Sequence, residues 1–335
     1  MKNLILVVII LLLSVSIKAQ DTFSIIAVDP VTGDIGSAGA TCISSAGGSN
    51  IADIITDIIP GRGGVNSQAY VCIPNINLEN AIIQMEAGLS PSEIIDYLLL
   101  NDACNSQNFN PEYRQYGIVD LDSNGDPRSA GWTGSLTDDY KEDRQGSNFS
   151  IQGNILLNQS VIDNMEANFM STSGTLADKL MAALQGANFP GADSRCLSAG
   201  TSSRTAYLQV YHADDQPNDP YIRLIVPVQA SGIEPIDILQ DMYDDLLAVE
   251  ENDLKGKFKL APNPASSSMT LTLDPSILIT GYEIINVGGK KLVTTSLEHM
   301  TKLEHQIEVA SLQSGIYFLK VKSQEGDIVL KFVKK

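Results

Sequence analysis

Histidine is almost absent from this chain, with three in 335 residues, and only His212 comes before residue 299. Serine and cysteine nucleophiles of the usual kind take an imidazole as base, so such schemes have little to draw on. His212 stands beside Asp214 and Asp215 in a polar turn and reads as a solvated loop residue. No lysine occurs between Thr22 and Lys141, and Arg62 is the first cation of that stretch. None of the four cysteines forms a Cys-x-x-Cys pair, which argues against zinc. The chain has no phosphate-cradling glycine loop and no basic stripe. We therefore expect no cofactor and no metal. After residue 13 no apolar run reaches transmembrane length.

Positive charge is scarce too, but unevenly. Gln20 to Leu254 carries 9 Lys and Arg against 33 Asp and Glu, a balance of −24. From Lys255 onward the count is 11 Lys against 7 acids, a balance of +4. So acidic a surface repels phosphate and excludes nucleic acid as a partner. It is adequately explained by solubility. The switch also divides a chain whose length suggests two domains.

What is present begins with a secretory signature. Lys2 precedes an apolar run of ten residues, Leu4 to Leu13, and small or polar residues lead to Gln20. Ten residues are too few to span a bilayer, so residues 1–19 read as a cleaved signal peptide. In an oxidising compartment Cys42, Cys72, Cys104 and Cys196 form disulfides by default, in any of three pairings.

The mature chain predicts strands at Thr22 to Asp29, Ile35 to Ser44 and Ser67 to Ile73, read as an antiparallel meander. Two helices follow, the first capped by Asn77 and the second opened by the capping box Ser90-Pro91-Ser92-Glu93. Asn124-Gly125 predicts a hairpin between Gln115–Leu121 and Arg128–Thr133. The same acidic stretch imitates a calcium loop, but its twelfth position is Gly131 where a bidentate Glu is needed, so the hairpin is preferred. Helices over Ser160 to Met170 and Thr175 to Leu184 come next. Strands over Arg204 to Tyr211 and Tyr221 to Val228 lead to a last helix from Pro235 to about Ala248. Clustered strands and clustered helices predict an α+β layered domain over 20–249 with antiparallel sheet. Residues 250–258 read as a charged linker. Residues 259–335 read as a small all-β sandwich of six or seven strands.

Thr22 is the residue with chemistry in it. A threonine exposed as a new N-terminus can use its own α-amine as base, which removes the need for histidine. Residues Gln20 and Asp21 stand in the way after signal cleavage, so a second cut at Asp21-Thr22 is required.

The tail resembles the type A C-terminal sorting domain of the type IX secretion system. The carrying residues are Leu260-Ala261-Pro262-Asn263-Pro264, Ser314-Gly315-Ile316-Tyr317-Phe318-Leu319-Lys320-Val321 and the closing Lys331-Phe332-Val333-Lys334-Lys335. The resemblance implies the type IX machinery as partner through residues 259–335, passage across an outer membrane, and release or attachment at the cell surface. It implies a Bacteroidetes-like host and no catalysis in the tail.

The first domain resembles an uncharacterised family with an Ntn-hydrolase-like fold. The resemblance rests on Thr22 to Ala27 with Asp29-Pro30, Arg114 to Asp120, Thr133-Gly134, Gly153 to Leu156, Leu176 to Leu180 and Gly191 to Arg195. It implies a four-layer αββα sandwich and hydrolysis of a small amide or peptide by Thr22. Asp29, Asp193, Arg195 and Arg114 are then expected to line the cleft. Their alternative role is in buried ion pairs that position loops. The opposed reading of the whole domain is an extracellular binding or scaffolding module without activity.

Overall fold

The computed structural model describes residues 22–43, 50–297, 303–324 and 326–335, apart from the side chains of 248–253. The signal peptide, the Asp21-Thr22 junction and Ser44 lie outside the described residues. The chain divides into two compact units, one through Met242 and one from Tyr243.

The first unit runs β1 (Phe23–Val28), β2 (Ile35–Thr41), α1 (Ile51–Ile55), β3 (Thr56–Ile59), β4 (Gly63–Gln68), α2 (Ile76–Glu86) and α3 (Pro91–Leu100). It continues with β5 (Gln115–Leu121), β6 (Pro127–Thr133), β7 (Glu142–Gln145), β8 (Phe149–Gly153), α4 (Ser160–Ser171), α5 (Leu176–Gly186), β9 (Thr205–Tyr211) and β10 (Ile222–Val226). The last helix, α6 (Pro235–Gly256), continues through most of the stretch that reads as a linker.

Six strands form one antiparallel sheet in the order β10-β9-β2-β1-β8-β7, and four form another in the order β3-β4-β5-β6. Helices α4 and α5 pack on the first sheet, α2 and α3 on the second, and the two sheets face each other. Strand β1 lies in the middle, and all six of its residues are buried because both of its faces are covered. Ile26 and Val28 point toward the second sheet, where they meet Ile58 and Val119, and Tyr211 of β9 joins the same cluster.

Local signals account for several elements. Ser90 and Glu93 form the expected capping box, and Thr175 with Asp178 forms another at α5. The Asn124-Gly125 hairpin is present with Gln115 opposite Thr133. Gly125 takes the left-handed φ of +83° that the turn requires. The carboxylate of Asp122 accepts the amides of Asn124 and Asp126, so it is spent on the turn.

The early part differs from the expected meander. Helix α1 and strand β3 intervene, and β4 ends at Gln68 where a strand was expected to begin at Ser67. Strand β4 pairs with β3 and β5 and not with β2. Asn75 and not Asn77 caps α2, accepting from the Leu78 amide at 3.2 Å. Asn77 is buried, bonded to Asp102, Tyr116 and Ala103. Strands β7 and β8 add to the expected order: β7 is wholly polar, and β8 alternates over only two apolar positions, Phe149 and Ile151.

The second unit is all β: β11 (Phe258–Ala261), β12 (Ser268–Leu273), β13 (Ile279–Asn286), β14 (Lys291–Ser296), β15 (Glu304–Glu308), β16 (Gly315–Ser323) and β17 (Gly326–Lys334). Sheets β11-β12-β15 and β14-β13-β16-β17 share one core, with Met269, Leu271 and Ile307 from the first and Ile284, Leu319 and Phe332 from the second. Among the described residues, no helix of either unit is long and apolar enough to cross a membrane.

Candidate functional site

Thr22 precedes β1 by one residue and is completely buried. The register that sets Phe23 opposite both Ala40 and Gly153 brings Thr22 level with Thr41 on one side and Asn154 on the other. The Thr22 amide donates to the Asn154 side-chain oxygen at 3.0 Å, and the Asn154 amide returns to the Thr22 carbonyl at 3.2 Å. The Gln68 side chain donates to the same carbonyl at 2.8 Å.

From Gln68 a hydrogen-bonded network spreads between the sheets. Ser24 donates to Gln68 at 2.7 Å and accepts from Asn66 and Gln152. Gln68 also reaches Gln115, whose amide holds the Gly153 carbonyl at 2.9 Å. Asn66 accepts from Ser37 and Thr56, and Tyr207 closes the far end against both hydroxyls. Burial pushes the Tyr207 phenol up to about 12. So many polar groups are tolerable inside a sandwich only because they satisfy one another. The close approach demands glycine at position 117, where an added Cβ would stand 1.9 Å from the Gln152 side-chain oxygen.

Among the described residues, three of the seven non-glycine positions with positive φ flank this network. Ile155, next to Asn154, has φ +53°, and Ala69 and Tyr70, next to Gln68, have φ +61° and +49°. A β-branched residue in the left-handed region is unfavourable and persists only where its surroundings impose it.

Of the four residues expected to line the cleft, Asp193 and Arg195 meet beside Thr22. The Asp193 carboxylate has no exposed surface. It accepts the Cys42 amide at 2.8 Å and is gripped by Arg195 at 2.9 and 2.5 Å. Arg195 reaches on to the Thr41 hydroxyl at 3.4 Å, so the pair sits beside the end of β1 that carries Thr22. The disulfide Cys42–Cys196 ties this corner, and the second is Cys72–Cys104.

Asp29 is placed elsewhere, and Arg114 is committed to loop carbonyls and a carboxylate. Asp29 lies seven residues on, roughly 23 Å along an extended strand. There its side chain accepts the Val31 amide and its main chain closes the turn to Asp34. Arg114, just before Gln115 of β5, is fully buried, paired with Asp102 at 2.9 Å and bonded to the carbonyls of Tyr70, Cys104 and Ser106. That is the loop-positioning role held open for it. His212 pairs with Asp34 and stacks on Tyr221, away from Thr22.

Sequence reasoning passed over Asn154, Gln68, Gln115 and Gln152. The available signal was amide side chains at strand positions flanked by buried apolar residues.

The family of unknown function DUF1028 matches residues 22–235, and the secretion system C-terminal sorting domain matches residues 259–335. No curated protein matches the chain. A crystal structure of the DUF1028 protein SPO2555 from Silicibacter pomeroyi is similar with a TM-score of 0.51 and 25% identity, covering 67% of this chain and 88% of that one. The tail marks the protein for export through the type IX system to the cell surface or the extracellular space. With its family match running from Thr22 through the last strand of both facing sheets, the chain belongs to the DUF1028 family and ends in a type IX sorting domain.

Proposed function

We propose that residues 20–249 form an Ntn-hydrolase-like domain that hydrolyses small amides or peptides with Thr22 as the N-terminal nucleophile. Helix, sheet, sheet, helix is the αββα layer order of that fold, and Thr22 stands where such a domain carries its nucleophile, at the head of an inner strand. Residues 250–258 join it to the sorting domain of 259–335, which is removed on export or retained at the cell surface.

The observation that carries this reading is the bond from the Thr22 nitrogen to Asn154. Once the peptide bond before Thr22 is cut, that nitrogen is an α-amine, and the same carbonyl oxygen holds it in place. The Thr22 hydroxyl oxygen then attacks the amide carbon while its proton passes to the α-amine. Collapse of the tetrahedral intermediate breaks the C–N bond, and the leaving amine takes that proton. Water hydrolyses the resulting ester with the α-amine again as base. Backbone amides stabilise the oxyanion, and Arg195 beside Thr41 supplies positive charge at the site's edge.

Two observations favour the opposed reading of an inactive binding or scaffolding module: Thr22 has no exposed surface, and Arg114 and Arg195 are each held in an ion pair. N-terminal sequencing and intact mass of the exported protein decide between them. A start at Thr22, together with amide turnover that Thr22→Ala abolishes, supports the hydrolase. A start at Gln20 or Asp21 leaves the hydroxyl without its base and favours the module.

A further inference from the structure

Apart from the Thr22 corner, the first unit contains a cleft of about 430 Å³. It opens where the edge strand β3 approaches β9 and β10, and α1 and the first turn of α2 complete its wall. Ile54, Ile58 and Leu78 supply apolar surface, and Ile73 at the rim is 41% exposed. Its charged groups are Asp53, Asp57, Glu79 and Arg223. Arg223 is engaged with Asp53 and with Gln209, leaving two carboxylates uncompensated.

Asp57 is the distinctive group. Its carboxylate accepts the Ile58 amide at 2.8 Å, and among the described residues no cation pairs with it. Burial pushes its carboxyl above the ordinary range, with Glu79 and Glu86 of α2 adding repulsion. A half-buried anion left without a countercharge at the wall of a cavity is a recognition element for a cation. A hard metal ion would need several oxygen ligands converging on one point. Among the described residues no three acidic, histidine or cysteine side chains are so placed. The apolar walls suit a carbon body instead.

We propose that this cleft binds a small organic cation, a primary ammonium or guanidinium on a short aliphatic body, with Asp57 and Glu79 facing the charge and Ile54, Ile58 and Leu78 against the chain. The site shares none of these residues with the Thr22 corner, so it stands or falls independently of the hydrolase reading.

Calorimetric titration of the full exported protein with butylammonium, butylguanidinium, neutral butanol and calcium chloride tests it. Both organic cations are expected to bind and butanol is not. Asp57→Asn is expected to weaken binding by about tenfold or more, and Glu79→Gln less. Circular dichroism establishes that each variant is folded. Affinity falls as pH is lowered and Asp57 takes up a proton. Asp53 on α1, Glu79 and Glu86 on α2, Tyr211 on β9 and Arg223 on β10 are the other charged or titratable groups facing it. Asp57→Asn flattens that dependence. No heat from either organic cation, equal binding of butanol, calcium binding in their place, or affinity unchanged in both variants would each overturn the proposal.

Discussion

Thr22 and Asn154 hold each other by two hydrogen bonds, the Thr22 amide to the Asn154 side chain at 3.0 Å and the Asn154 amide to the Thr22 carbonyl at 3.2 Å. The clamp fixes the residue that leads into β1 to the end of β8. Replacing Asn154 by Ala strands a buried N–H, which costs about 1–3 kcal/mol. Urea unfolding should register that loss, with Asn154→Asp, which keeps an acceptor, less affected. A fully stable Ala variant would mean that the bond contributes nothing.

Arg114 and Asp102 lie together with side-chain exposures of 0% and 1%. Arg114→Met leaves an unpaired buried carboxylate and is expected to destabilise the fold by about 3–5 kcal/mol. The double variant Arg114→Met/Asp102→Leu should recover part of it, because the stranded charge is then gone. Equal losses in the single and double variants would contradict a buried-pair account of Arg114.

Gly117 faces Gln152 across the two sheets. Gly117→Ala forces an overlap that costs about 1–3 kcal/mol through displaced side chains. Gln152→Ala opens that space, so the two changes together should cost less than their sum. Additive free energies of unfolding would show that the clash is absorbed elsewhere.

Asp57 has a folded-state pKa raised above its ordinary 3.8, chiefly by burial. The protonated form is thus favoured by folding, and its contribution is lost as pH rises through the raised value. Asp57→Asn removes that loss while preserving the acceptor for the Ile58 amide. The variant should therefore be more stable than the parent at neutral pH, with the gain shrinking toward pH 3.8. Thermal melts across that window check it, and a constant difference would rule out the ionisation as cause.

The elements most legible in the sequence are those whose signals are local. The capping box at Ser90, the Asn124-Gly125 turn and the paired helices near residues 160 and 176 each depend on neighbours within a few positions. Strand β7 is four polar residues, β8 has two apolar positions, and α1, though capped by Asn50, is five residues long, so their local signals are weak. Their identity comes from partners far along the chain, such as Phe23 for Gly153. The candidate site divides the same way. Thr22 is conspicuous from its position, and Asp193 with Arg195 from the family resemblance, whereas Asn154, Gln68 and Gln152 acquire meaning only once the sheets face each other.

The export address, the acidic and basic halves, the clustering of strands and helices, and two disulfides' worth of cysteine are all legible in the bare sequence. Each of these is written in composition or short-range pattern. Which cysteines pair, that Arg114 is spent on Asp102, that Asp29 stands at the far end of β1 from Thr22, and that a cleft with an uncompensated Asp57 opens at the sheet edges were decided by tertiary structure. Those facts depend on register and on burial, and both are set by contacts between residues tens to more than a hundred positions apart.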